Sequence, residues 1–303
     1  MIKHILKEMR VKHYVKNILC FAPLIFSLNL TAPSMVLSAA LAFFAFCAAS
    51  SAVYVINDIA DIKKDRLHPK KKHRPIASGA ISLPLGTAIA VMCLGAGVFL
   101  AFYVSTAAGV LLLVYLSINL MYSFGLKNLA LVDVFCVMLG FLLRVYVGAA
   151  AVDVPVSGWL MLTVMALSLF MGFGKRRGEI QLMTLENTNK KATSPTGNTR
   201  RVLEAYTESF LDKAVYSMMC LSITFYALWA ISPDTIENLG TQGLIYTTPL
   251  VVAALLRYTM LLEKNREDGD PTGLLLSDPA LLILGLLYGA VVVGLVYFNV
   301  FAL

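Results

Sequence analysis

Nine stretches of this 303-residue chain are long and apolar enough to cross a lipid bilayer, and that limits its fold more than any other feature. A hydrocarbon core about 30 Å thick is spanned by roughly 20 residues of α-helix, and every backbone N–H and C=O inside it must be paired within the chain. The stretches fall at about 17–33, 35–56, 84–104, 106–124, 130–151, 157–174, 214–231, 243–262 and 279–302. The expected fold is therefore all-α, a polytopic membrane protein of nine helices in one domain over 1–303. Composition agrees, with 58% hydrophobic and 14% charged residues against about 25% charged in a soluble domain. A water-soluble domain, a disordered chain and a coiled coil are excluded. The first stretch does not suit a signal peptide, because it lacks a small-residue cleavage site and follows an amphipathic basic segment, 1–16, with Ile5, Leu6 and Met9 on one face. Cys20, Cys47, Cys93, Cys136 and Cys220 lie in apolar runs without a CxxC pair, which suits packing rather than metal or disulfide chemistry.

Lys and Arg set the orientation, because short cytoplasmic loops keep positive charge and translocated loops shed it. Of the 25 cations, 24 precede the first stretch, occupy the 2–3, 4–5 and 6–7 connections, or lie around the end of stretch eight. The N-terminus is thus expected in the cytoplasm and the C-terminus across a bacterial inner membrane. Trp159 and Trp229 fall near the far interface, where indole belts are expected. Anionic lipid headgroups account for part of the +7 net charge, and oligomerisation is left open. They do not account for 15 cations crowded into two loops, 57–83 and 175–213. Both loops are short, tethered and free of zinc-finger or helix-turn-helix spacing, so a nucleic acid partner is excluded.

The first loop carries Asn57-Asp58, Asp61 and Asp65, then Lys70, Lys71, Lys72 and Arg74. On a helix continuing past Ile56 the three Asp residues, at i, i+3 and i+7, share an arc of about 60°. Like charges so placed repel one another unless a cation joins them. Mg²⁺ suits such a cluster, since it takes one or two carboxylates and completes its shell with substrate phosphate and water. The following cations suit phosphate, Arg as a planar fork and Lys as a point charge.

The string N-D-x-x-D-x-x-x-D-R-x-H-P-x-K-x-x-R-P-I-A-S-G at 57–79 resembles the UbiA superfamily of intramembrane prenyltransferases, and within it a branch that moves phosphoribosyl groups onto decaprenyl phosphate. The resemblance implies a helical bundle around a central cavity open to the cytoplasm. It also implies phosphoribosyl diphosphate as donor and polyprenyl phosphate as acceptor, with Asp58, Asp61 and Asp65 as metal-binding and catalytic residues. Asn57, Arg66, Lys70, Lys72 and Arg74 are the nearby substrate-binding candidates.

Aromatic-prenylating relatives carry a second Asp-x-x-x-Asp motif after span six. Here the chain reads Gly174-Lys175-Arg176-Arg177-Gly178-Glu179, a cationic helix start with Lys175 and Glu179 four apart. Lys175, Arg176 and Glu179 are therefore further candidates, the cations for phosphate. The pattern Y-S-x-x-L-K-x-x-x-x-x-D, covering Tyr122, Lys127 and Asp133, also resembles the phosphoribosyltransferase branch. Apart from Arg257 near the end of stretch eight, Arg144 is the lone cation inside an apolar stretch and is expected to face the interior, because a charge at that depth needs a partner or an aqueous cavity. The expected reaction is Mg²⁺-dependent transfer of the phosphoribosyl group to polyprenyl phosphate. Prenyl transfer to an aromatic acceptor is the alternative, and a transporter is the alternative of another class.

Overall fold

Proline and short polar side chains set where the helices begin. The computed structural model describes residues 1–67, 71–189, 201–264 and 271–298, and no strand occurs among them. In order the elements are α1 (Ile2–Glu8), a 3-10 helix (Val11–Phe21), α2 (Ala22–Phe26), α3 (Pro33–Ala60), α4 (Ile62–Leu67), α5 (Leu83–Val104), α6 (Thr106–Phe124) and α7 (Val132–Val152). There follow α8 (Gly158–Asn189), α9 (Glu208–Ala230), α10 (Pro233–Leu239), α11 (Thr248–Lys264), α12 (Pro271–Ser277) and α13 (Pro279–Tyr297). Pro stands in the first turn of α2, α3, α5, α10 and α13, where its missing N–H would be unpaired anyway. Ser105, Thr207, Ser232 and Asp278 cap α6, α9, α10 and α13 by accepting from the N–H three residues on.

Among the described residues seven helical segments are long and apolar enough to cross a membrane, and α9 with α10, bent by 57°, makes an eighth if counted as one span. The nine regular spans expected from the sequence are thus not all present as such. The exception is 17–33, which runs as a 3-10 helix to Phe21, a short α-helix to Phe26, and then non-helical chain through Leu28 at φ +61. Pro23 cannot donate to the ladder, and Asn29, bonded through Nδ2 to Ser27 Oγ at 2.9 Å, closes the turn that follows. With a rise near 2.0 Å per 3-10 residue and 1.5 Å per α residue, 11–26 still extends about 30 Å.

Without a hydrophobic drive between helices in lipid, close approach of small residues holds them together. Ala39, Ala42, Ala45, Ala49 and Ala52 form a fully buried seam along α3. Opposite it on α5, a Cβ at Gly97 would lie 2.9 Å from the Ala45 carbonyl oxygen. The tightest contact is on α7, where a Cβ at Gly148 would come within 2.1 Å of the Cys20 carbonyl oxygen. Helix α7 touches the 3-10 helix, α2, α3, α6 and α8, and is the hub of the bundle. Cys20 and Cys47 pack as expected, but Cys220 is exposed on α9. Trp229 also departs from expectation, being buried edge-on against Phe26 with ring centroids 4.7 Å apart instead of sitting in a belt. Substituting Gly148→Ala should cost at least about 1–3 kcal/mol through overpacking against immobile backbone, lowering the thermal midpoint in detergent. Gly95→Ala, where a Cβ meets nothing within 4 Å, should leave the midpoint in place.

Candidate functional site

Helix α3 ends at Ala60, and Asp61 adopts a turn conformation before α4 begins. The acidic trio therefore does not ride one uninterrupted helix, as its spacing predicts. Asp58 on α3 and Asp65 on α4 still converge, both about 3% exposed. Arg74 Nη1 donates to Asp58 Oδ1 at 3.0 Å and to Asp65 Oδ2 at 2.7 Å. Arg10 Nη2 donates to the same Asp58 oxygen at 2.8 Å. Asp61 turns elsewhere, accepting from Lys127 Nζ at 3.2 Å and lying 3.9 Å from Lys64. Among the described residues no three His, Cys, Asp or Glu side chains form a ready cage for a metal. A pair of carboxylates focused on one cationic nitrogen nonetheless fits a hard divalent ion that draws its other ligands from phosphate and water.

The segment after α4 exists to aim Arg74. Ile76 and Ile81 are buried against Val55 and Ile89, with Ile5 of α1 and Met9 just after it packed on the same cluster. The Ile81 N–H donates to the Pro75 carbonyl at 3.0 Å, and Gly79 at φ +80 closes the turn in a region where only glycine is unstrained. Arg66 Nε donates to the Ala77 carbonyl at 3.1 Å, so this candidate clamps the loop. Lys72 is exposed, and Lys70 lies outside the described residues. Of the basic segment's apolar face, Ile5 and Met9 turn to the protein while Leu6 stays exposed.

A cavity of about 200 Å³ runs inward beside Asn57, Tyr122 and Arg144. Lys16, Lys175 and Arg176 also line it, and among the described residues no carboxylate does. Arg176 is held by Asp133 Oδ2 and by Glu179 Oε2, each at 2.6 Å, and reaches Tyr122 Oη at 3.4 Å. Asp133, expected to meet substrate, is fully buried with its second oxygen taking a 2.7 Å hydrogen bond from Tyr206. Burial, with Asp133 adding to it, pushes the Tyr206 phenol up to about 12, so it remains a donor at neutral pH. Asp133 is thus a buttress of Arg176. Arg144 lies about 16 Å deeper along α7, donating through Nε to Asn17 Oδ1 at 2.8 Å and through Nη1 to the Gly140 carbonyl at 2.6 Å.

Glu8, Arg10 and Asn17 are site residues that sequence reasoning missed. The available signal was a single carboxylate among the five cations of 1–16, and a single amide at the start of an apolar run. Glu8 is 1% exposed, and burial together with the neighbouring Asp58 carboxylate pushes it up to about 7. A carboxyl raised on folding binds more protons folded than unfolded, so its ionisation weakens the fold as pH rises from about 4.5 to 7. In EDTA-containing buffer Glu8→Gln should raise the thermal midpoint over wild type at pH 8. The difference should shrink toward pH 5 and vanish near pH 4, and a pH-independent difference would refute the burial argument.

Comparison with known proteins agrees with this geometry. The profile of the UbiA prenyltransferase family matches residues 19–276. The decaprenyl-phosphate phosphoribosyltransferase of Mycolicibacterium smegmatis is 31% identical over 310 residues, covering 99% of this chain and 94% of that protein. Its namesake in Corynebacterium glutamicum is 33% identical, covering 96% and 86%. A UbiA homolog from Archaeoglobus fulgidus, solved bound to GPP and Mg²⁺, shares the fold with a TM-score of 0.69 at 18% identity, over 95% of this chain and 96% of that one. This helical membrane bundle, with an acidic cluster that starts one residue after the cavity-lining Asn57 and a match over nearly its full length, belongs to the UbiA prenyltransferase family.

Proposed function

We propose that this membrane protein transfers the 5-phosphoribosyl group of phosphoribosyl diphosphate to a polyprenyl phosphate, releasing diphosphate, at the cytoplasmic face of a bacterial inner membrane. One observation carries this reading: among the described residues four cations, Lys16, Arg144, Lys175 and Arg176, and no carboxylate line a cavity that includes Asn57, next in sequence to Asp58. Such a lining suits two phosphate-bearing substrates better than a neutral aromatic ring. The full-length relatives named for this transfer support it, as does the lack of a second acidic motif. The charge bias supports a cytoplasmic side for the Asp cluster and the N-terminus.

Asp58 and Asp65 would hold Mg²⁺, which when bound neutralises charge on the departing diphosphate. Arg74 and Lys127, already in contact with the acidic residues, are placed to donate to diphosphate oxygens, as is Lys72 from the loop edge. Charge grows on the diphosphate as C1–O breaks, so donors aimed there favour the transition state over the bound substrate. The bond's electron pair leaves with diphosphate while the ribose gains oxocarbenium character. An ionised acceptor oxygen then forms the new bond on the opposite face of C1, giving a β-linked phosphoribosyl lipid. No proton moves, and no general base is needed. Asp133 and Glu179 keep Arg176 fixed in the wall, with Lys175 and Tyr122 beside it.

Purified protein given labelled phosphoribosyl diphosphate and polyprenyl phosphate should release diphosphate. Release only with prenyl diphosphate and 4-hydroxybenzoate would reverse the assignment. Asp58→Asn should reduce kcat/KM by about 10²–10³, the size of losing one preorganised electrostatic element, with membrane insertion intact. EDTA should stop turnover and Mg²⁺ restore it, and activity indifferent to the metal would sink the ligand role of Asp58 and Asp65.

A further inference from the structure

Two cations are deeply buried among the described residues, Arg176 at 3% and Arg144 at 6% exposure. They are treated in opposite ways. Arg176 is answered by two carboxylates. Arg144 has no carboxylate within ion-pairing distance among the described residues, although a charge at its depth is costly without a counter-ion. Its contacts are neutral: the Asn17 side-chain carbonyl, the Gly140 carbonyl, and the ring faces of Phe46 and Tyr115 at 4.8 and 5.2 Å. They fix the guanidinium plane while leaving its charge unbalanced on the cavity wall.

Asn17 is the telling partner. It is 1% exposed, and Nδ2 donates to Cys47 Sγ at 3.2 Å and Ser50 Oγ at 3.5 Å. A carboxylate would ordinarily face a buried arginine. The chain places the isosteric amide there, which orients Arg144 without neutralising it. A rigid, desolvated and uncompensated guanidinium on a cavity wall is a seat for an anion, and its planar fork matches phosphate oxygens.

We propose that Arg144 is the deep seat for a phosphate monoester in this cavity, and that Asn17 is the positioning residue that keeps the seat cationic. This rests on the transfer proposed above, whose donor 5-phosphate and acceptor phosphate share that chemistry. The seat lies apart from the Asp58 and Asp65 end, so it serves a phosphate other than the departing diphosphate.

The test is equilibrium binding to the full chain in detergent, by calorimetry, with ribose 5-phosphate and farnesyl phosphate as probes. Asn17→Asp keeps the shape and the hydrogen bond to Arg144 but supplies an internal counter-ion. It should weaken one probe about tenfold or more, as expected for losing a charge-assisted hydrogen bond. Affinity for the other probe, and for inorganic diphosphate with Mg²⁺, should hold. Loss confined to ribose 5-phosphate assigns the seat to the donor, and loss confined to farnesyl phosphate assigns it to the acceptor. Arg144→Lys, which keeps the charge and loses the fork, should weaken the same probe and covers the case in which Asn17→Asp fails to fold. Unchanged affinities, or equal losses for both probes, would overturn the seat while the proposed transfer stood. Wild-type protein binding neither probe would overturn both.

Discussion

Asp58 and Asp65 meet on one nitrogen of Arg74, and much of the cytoplasmic end of the molecule is arranged to make that contact tolerable. Two carboxylates out of water repel each other and lose hydration, so each must be answered by a fixed cation. Arg74 is fixed by the buried Ile76 and Ile81. Arg10 is fixed by its own backbone, at φ +53, and by stacking over Tyr54 at 4.5 Å. The loop after α4 and the N-terminal helix are thus drawn onto the end of α3 by one electrostatic requirement. A metal arriving with a diphosphate would satisfy the same requirement, which is why a cluster already closed by arginines is compatible with a metal-dependent reaction.

Much of this was legible in the residues, and the limits have physical causes. Long apolar runs identified α3, α5, α6, α7, α8, α9, α11 and α13, because lipid admits little but helix there. The loop of Asp58, Asp65 and Arg74 was legible because carboxylates spaced by helical turns make no sense without a cation. Spacing could not show that the helix breaks at Asp61 or that Asp61 meets Lys127, a partner 66 residues away. Nor could it show that Asp133 closes on Arg176 instead of facing the cavity, a pairing across 43 residues. Glu8 was hidden in a segment whose cations invite a lipid-surface role, although two of the three residues on its apolar face, Ile5 and Met9, cover the loop that carries Arg74.

The ion pairs divide the polar interior into two kinds. Asp133, Arg176, Glu179 and Tyr206 form a hydrogen-bonded network in which two carboxylates meet the one guanidinium, and such networks rigidify what they join. It ties the start of α7 to α8 and to the segment before α9, and so sets the cavity wall. Arg144 belongs to the second kind, oriented but unanswered. A cavity built only from such networks would present no unanswered cation to a ligand, and one built only from open cations would be hard to fold in lipid. Combining them gives a wall that stands by itself and a field that waits for an anion.

The irregular segment before α3 is what makes the open cation possible. In a 3-10 helix residues three apart lie on one line, and Tyr14, Asn17 and Cys20 occupy such a line within Val11–Phe21. Tyr14 bonds Ser51 at 2.8 Å, Asn17 bonds Arg144, and the Cys20 carbonyl lies against Gly148. In a regular α-helix Tyr14 and Cys20, six residues apart, would diverge by about 120°, and one of these contacts would be lost. The tighter helix faces α3 and α7 at once, sliding close enough to require glycine at 148 and carrying Asn17 to Arg144. The departure from regular helix is therefore the means by which the guanidinium in the membrane interior is held by an amide.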